Sequence, residues 1–296
     1  MSKGVSIILT AWKTAKYIEE CLDSVQAQTY FKTHKNYEIL LGIDGCEETL
    51  DKVKEIKNKY KNLDVYYFEK NVGTYIVSNT LCCLAKYDYL MRFDTDDKMM
   101  KTYVEKMLEY MGKTQYQFAR PKMYEMDKSH SEVLNCEGLI SMTKAIFNEY
   151  GGYRPFVCSS DSELRKRISK FVKDGIVPEP IAYRRIHKDS LTQKDGTNMH
   201  SEYRMKLSRF ISWEMIRIKE KKDAIIKCIV ENPKKLLEDD TLSELIDVEA
   251  PNQDVNNTLY EEWEAIDANR RNSATTHKNG YSYPVVKACA GFHMFP

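Results

Sequence analysis

Apolar positions along the first hundred residues recur with two alternating periods. Residues 5–10 form a short β-branched run, and residues 15–28 then space Ile18, Cys21, Leu22 and Val25 at helical intervals. The same exchange repeats. Residues 37–44 are apolar and end in Asp44-Gly45-Cys46, and residues 49–60 put Leu50, Val53 and Ile56 on one helical face. Residues 64–68 read as a third strand, 75–84 as a helix and 87–93 as a fourth strand. Near-continuous apolar strands alternating with amphipathic helices predict an α/β fold, a mostly parallel central sheet with helices on both faces. Ligands of such sheets sit beyond the carboxyl ends of the strands, here near residues 10–12, 44–46 and 94–97.

The rhythm changes after residue 111. Strands are expected over 116–126 and 132–137, a short helix over 143–149 stopped by Gly151-Gly152, a helix over 161–173 and a strand over 180–186. These complete one domain spanning 1–197. A mainly helical C-terminal extension, 198–296, is expected to follow. Residues 202–229 carry a long helical pattern with eight Lys/Arg against four Asp/Glu, whereas 231–270 hold twelve acidic and three basic residues.

Composition narrows the function classes. With 45 Lys+Arg against 44 Asp+Glu, the net charge of +1 provides no global field for nucleic acid. The longest apolar runs fall far short of the roughly 20 residues that span a bilayer. No secretory leader pattern opens the chain. The eight cysteines include no C-x-x-C pair and several sit in apolar runs. A cytoplasmic protein with reduced thiols is expected, either free or peripheral to a membrane.

The densest chemistry lies at Asp94-Thr95-Asp96-Asp97, directly after a predicted strand. Alternating carboxylates at a sheet edge suit Mn²⁺ or Mg²⁺, which take one or two protein acids together with substrate phosphates. The plainer alternative is that Asp97 caps a helix beginning at Lys98. Asp161 is likewise either a reactive acid or a cap on the helix it opens.

Several segments in one order resemble glycosyltransferase family 2, the inverting nucleotide-sugar enzymes of GT-A fold, and within it the members that build surface polysaccharides. They are residues 5–10, the Asp44-Gly45-Cys46 strand end, Asn71-x-Gly73 through Asn79, and Arg92 through Asp97. They continue with Gly151-Gly152-Tyr153-Arg154, Ser160-Asp161-x-Glu163-Leu164, and Arg184-Arg185-Ile186-His187 through Thr192. The resemblance implies a Rossmann-like α/β/α sandwich that transfers a sugar from a UDP-sugar to a glycan or lipid-linked acceptor.

The resemblance also assigns roles. Thr10, Ala11 and Trp12 would line the nucleobase pocket, and Asp44 would accept from the uracil N3–H. Asn71, Gly73, Asn79, Asp94 and Thr95 would complete the nucleotide side. Asp96 and His187 would hold the metal, and Asp161 would be the general base. Gly152, Tyr153 and Ser160 would meet the acceptor. The chain departs from the family pattern at Ser160, where an acid is usual, at Val77-Ser78, where Ala-Arg is usual, and at Ile43, where an acid is usual.

Two other classes compete. A nucleotidyltransferase would need a Gly-rich phosphate loop, and residues 5–15 contain no glycine. A catalytically idle relative acting as a nucleotide-binding scaffold is the remaining alternative. The basic helix pattern suits either peripheral contact with an anionic membrane or packing on the main domain. The acidic stretch 238–267 would pair with it within one chain or across a homo-oligomer.

Overall fold

A computed structural model describes residues 2–114, 116–126, 133–253 and 255. The first half runs β1 (Ser2–Ala11), α1 (Ile18–Gln26), α2 (Thr29–Thr33), β2 (Tyr37–Asp44), α3 (Glu47–Ile56), β3 (Leu63–Phe68), α4 (Thr74–Leu84), β4 (Tyr87–Asp94), β5 (Lys98–Met99) and α5 (Tyr103–Thr114). The second half runs β6 (Phe118–Glu125), β7 (Val133–Asn135), β8 (Ser141–Thr143), α6 (Lys144–Tyr150), α7 (Ser160–Ile168), β9 (Asp174–Arg184), α8 (Glu202–Arg217), β10 (Lys234–Leu236) and β11 (Leu242–Leu245).

All the described strands join one sheet, ordered β11-β10-β3-β2-β1-β4-β8-β6-β9-β5, with β7 paired to β6. Its centre, β3-β2-β1-β4, is parallel as expected. The second half turns the sheet mixed, because β8 enters antiparallel to both β4 and β6. Alternation along β1 splits the core between the two faces. Val5, Ile7 and Leu9 pack with Leu22, Val53 and Met107 on one face. Ile8 packs with Leu40, Phe68 and Leu81 on the other. Each such buried side chain contributes about 1.5–3 kcal/mol, so the parallel centre is the rigid floor under the strand ends.

The C-terminal third differs from its expectation in form. The helix expected over 202–229 stops at Arg217. The chain then makes a 3₁₀ turn and the β10–β11 hairpin, and β10 pairs antiparallel with β3 at the sheet edge. Ile218, Ala224 and Cys228 lie in the same core as Ile8 and Phe68, so the apolar spacing read as one helix is filled by irregular chain. Residues 256–296, with the end of the acidic stretch, lie outside the described residues.

A buried charge cluster fastens α8 to the rest. Glu163 of α7 accepts from Arg167 Nε at 2.6 Å and Arg154 Nε at 3.3 Å, and Arg154 also pairs with Glu214 of α8. Arg167, fully buried, donates further to the carbonyls of Tyr150, Gly152 and Ala224. Burial pushes the Glu214 carboxyl up from its ordinary value, and Arg154 opposes that shift. Arg167→Met would leave Glu163 without its helix partner and three carbonyls without their donor. A loss of about 3–5 kcal/mol is expected, read by calorimetry as a melting temperature lower by on the order of 10 °C.

Candidate active site

The carboxyl ends of β1, β2 and β4 open into a cleft of about 420 Å³, closed on the far side by residues 134–138, 155–158, 161–162 and parts of 184–199. Its floor is tied together by threonines. Thr95 donates its hydroxyl to the Thr10 carbonyl at 2.9 Å and lies 3.0 Å from the Thr14 hydroxyl. Thr10 and Thr74 hydroxyls stand 2.8 Å apart. The buried Thr95 side chain thus locks two strand ends to each other. Trp12 forms one wall, with the Lys13 and Lys194 ammonium groups 4.7 Å and 4.2 Å from its ring centre.

Asp44, almost fully buried, clamps the loop before α4. Its carboxylate accepts from the Val72 N–H at 2.7 Å, the Gly73 N–H at 3.0 Å and the Asn71 side-chain amide at 3.0 Å. Gly45 permits the approach. It holds φ at +60°, and a Cβ there would sit 2.4 Å from the Asn71 nitrogen. The uracil contact expected of Asp44 would be additional to these three bonds.

Arg92 of β4 occupies the middle of the floor. It donates to Ser78 Oγ at 3.1 Å, Thr74 Oγ1 at 3.1 Å, the Gly138 carbonyl at 2.9 Å and Asp94 Oδ1 at 2.6 Å. Burial works against its charge, and its neighbours, Asp94 first among them, more than restore it. The departure at Ser78 acquires a reason here: its small hydroxyl receives a cation from the neighbouring strand.

The acids after β4 divide their work. Asp94 faces Arg92; burial raises its carboxyl, Arg92 lowers it and Asp96 raises it again. Asp97 caps no helix, because Lys98–Met99 is strand β5, paired with β9. Its Oδ1 accepts from the Arg185 N–H at 2.8 Å, and burial, followed by Asp96 and Asp94, pushes its carboxyl well above the usual range. Asp96 Oδ2 meets His187 Nε2 at 2.8 Å, joining positions 91 residues apart.

Among the described residues no three His, Cys, Asp or Glu side chains form a metal cage. Asp96 and His187 nevertheless fit a divalent ion that draws its other ligands from phosphates and water. A carboxylate oxygen and an imidazole nitrogen facing each other are donor types that would hold Mn²⁺ or Mg²⁺. His187 Nδ1 is buried with no partner among the described residues, a polar atom the protein leaves unexplained.

Asp161 lies in the first turn of α7 and lines the cleft. Its Oδ1 accepts from the Ser162 N–H at 2.8 Å. Its Oδ2 lies beside Gly138, where a Cβ would sit 3.2 Å from that oxygen and 3.7 Å from Arg92 Nη1. Ser159, two residues earlier, holds φ at +65°, a left-handed conformation unusual for serine, and its hydroxyl accepts from Arg204 of α8 at 3.1 Å.

Four expected contact residues lie away from the cleft lining. Asn79 is fully buried. Its amide donates to the carbonyls of Tyr153 at 2.8 Å and Ile229 at 3.0 Å, and its oxygen accepts from the Tyr153 N–H at 2.8 Å. Gly152 packs on that amide so tightly that a Cβ would reach 2.0 Å from Asn79 Oδ1. Tyr153 is buried against Tyr75, ring centres 5.4 Å apart. Ser160 donates to the Arg154 carbonyl and accepts from the Phe156 N–H at 3.2 Å. These residues brace the site from below, and their side chains lie outside the cleft lining.

The cleft also gathers Lys13, Glu137, Phe156, Lys194 and Arg204, for which the sequence offered no signal. Their segments meet only through the fold.

Residues 6–170, just over half the chain, match the family described as Glycosyl transferase family 2. The chain belongs to that family. It is 32% identical over 111 residues to a Bacillus subtilis glycosyltransferase named for teichuronic acid biosynthesis, TuaG, covering 36% of this chain and 41% of that one. It is 25% identical over 130 residues to the Streptococcus pneumoniae glycosyltransferase GlyG, 44% of this chain and 42% of that one. The family 2 chain thus spans less than half the length of either relative.

Among solved structures, S. aureus TarS residues 1–349 with UDP-GlcNAc matches with a TM-score of 0.58 at 17% identity, over 75% of this chain and 69% of that one. The Pyrobaculum calidifontis mannosyltransferase PcManGT, solved with GDP-Man and Mn²⁺, matches with a TM-score of 0.52 at 15% identity, over 63% and 58%. The shared architecture is the GT-A fold.

Asn79→Ala tests the bracing. It would strand the Tyr153 N–H and two carbonyls, a loss of about 3 kcal/mol visible in thermal unfolding.

Proposed function

We propose that this family 2 protein is an inverting glycosyltransferase that moves a sugar from a UDP-sugar to a hydroxyl of a glycan or lipid-linked acceptor. The observation carrying the reading is the convergence of Asp96, His187 and Asp161 on one cleft whose other wall is Trp12 and the Asp44-clamped loop. The family match supports the transferase class, and TarS, solved with UDP-GlcNAc, makes UDP the first nucleotide to test.

The residues divide the reaction among themselves. Trp12 offers a flat face for the base, and the ordered loop 71–73 bounds the nucleotide side. Asp161 takes the proton from the acceptor hydroxyl as that oxygen forms a bond to the anomeric carbon. The bond from that carbon to the diphosphate breaks on the opposite side and its electron pair leaves with the UDP, which inverts the configuration. Mn²⁺ or Mg²⁺, when held by Asp96 and His187, would supply charge neutralisation for the diphosphate. Arg92 fixes Asp94 at the floor, and Gly138, whose carbonyl it holds, lies beside Asp161.

Release of UDP from a panel of UDP-sugars tests the reading, with each metal and with chelator. Release from one sugar is expected with metal, lost on chelation and lost in Asp96→Ala. Asp161→Asn is expected to lower transfer by about 10²–10⁴ with UDP binding retained. Binding of UDP by the wild type with no turnover on any sugar or acceptor would instead support an idle scaffold subunit. Gly138→Ala, by displacing the Asp161 carboxylate a few tenths of an ångström, is expected to lower kcat about tenfold with the donor KM unchanged.

A further inference from the structure

Helix α8 hides Leu207, Ile211 and Glu214 against the body of the protein. Its other side is unusual for a solvated face. Met205 is 47% exposed and Ile216 67% exposed, and with Arg209 and Ser212 they recur at i, i+4, i+7 and i+11, one stripe along the helix. Beside it run Phe210 and Trp213, half-buried, with ring centres 6.2 Å apart, and Arg217 lies 4.5 Å over the Trp213 ring. Arg209, Arg217 and Lys219 pair with no carboxylate among the described residues.

The stripe continues to the cleft. Phe210 meets Phe156 of the cleft wall edge-on, ring centres 6.2 Å apart. Met199, 59% exposed, and Arg204 line the cleft mouth at the start of α8. Apolar and aromatic groups therefore run from the mouth onto the outward face, edged by Arg209, Arg217 and Lys219.

We propose that this face of α8 rests in the headgroup region of an anionic lipid bilayer, with the cleft mouth turned toward it. One helix offering Met205, Ile216 and the half-buried Trp213 between Arg and Lys has the make-up of an interfacial helix. Its apolar groups enter the acyl boundary while its cations stay with the phosphates. The interleaved Ser208, Ser212 and three cations make the stripe too polar for the core of a permanent subunit contact. No described helix is long and apolar enough to cross the membrane, so contact would be along the surface. A lipid-linked acceptor would then reach Asp161 from the bilayer. That last step rests on the transferase reading, whereas the surface contact stands without it.

Sedimentation of the full chain with vesicles of phosphatidylcholine alone, or with phosphatidylglycerol added, tests the proposal separately from UDP release. Binding is expected only to the anionic vesicles and is expected to weaken as salt rises. Each basic residue near such a surface contributes about fivefold, so Arg209→Glu with Arg217→Glu is expected to weaken binding at least about 30-fold. Met205→Ser with Ile216→Ser is expected to weaken it as well. Both double variants should keep the wild-type melting temperature and the wild-type UDP release in solution. Absence of binding to anionic vesicles, or unchanged binding by the charge-reversed variant, would overturn the proposal. So would a concentration-dependent dimer dissolved by Ile216→Ser, which would give the face to a second copy of the chain.

Discussion

A single buried cation organises the cleft. Arg92 is 5% exposed, and a guanidinium taken out of water persists only where its donors are met and its charge is balanced. Its partners come from three places: the hydroxyls of Thr74 and Ser78 on α4, the Gly138 carbonyl, and the Asp94 carboxylate on its own strand. Satisfying one side chain therefore fixes helix α4 with the loop before it, the segment beside Asp161 and the carboxylate of Asp94. Removing Arg92 would leave the half-exposed Asp94 without its ion pair and release two walls together, so the cleft is best regarded as built around the guanidinium.

Bracing below the cleft follows the same logic with neutral groups. Asn79 satisfies both backbone groups of Tyr153 and one carbonyl of the C-terminal segment. Arg167 gathers three further carbonyls around the Gly151-Gly152 turn. Buried backbone groups that leave regular structure need partners somewhere, and here they are supplied by side chains from α4 and α7. The consequence is a stiff base under α7, the element that carries Asp161.

The parallel centre and its ligand-facing ends were legible in the sequence because each strand is a continuous apolar run and the amphipathic helices between them force crossovers. Asp44, Asp96, His187 and Asp161 were legible as candidates from spacing and resemblance, and all four line the cleft. Burial was not legible. Asn79, Gly152, Tyr153 and Ser160 belong to the same motif segments as the cleft residues, and local pattern carries no sign of which motif residues point inward. The hairpin β10–β11 was missed for a different reason. Its pairing with β3 joins residues far apart in sequence, and the apolar spacing through Ile218 and Ile225 mimics a helix where the chain is irregular. Lys13 and Lys194 meet at Trp12 only through tertiary structure.

The departure at Ser160 follows from burial as well. Its hydroxyl closes the turn from Arg154 to Ser160, donating to one end and accepting from the Phe156 N–H, and the side chain is wholly inaccessible. A carboxylate at this fully buried position would be taken out of water, and the carbonyl and single N–H that now meet the hydroxyl would not compensate its desolvation. With serine the turn closes on neutral hydrogen bonds. Ser159 is held at φ +65° with Arg204 on its hydroxyl, and Asp161 emerges into the cleft. Backbone strain next to a reactive group persists only where the surroundings over-determine it, and here they do so through a residue of α8. The position of the proposed base is thereby tied to the helix whose outward face carries the exposed apolar stripe.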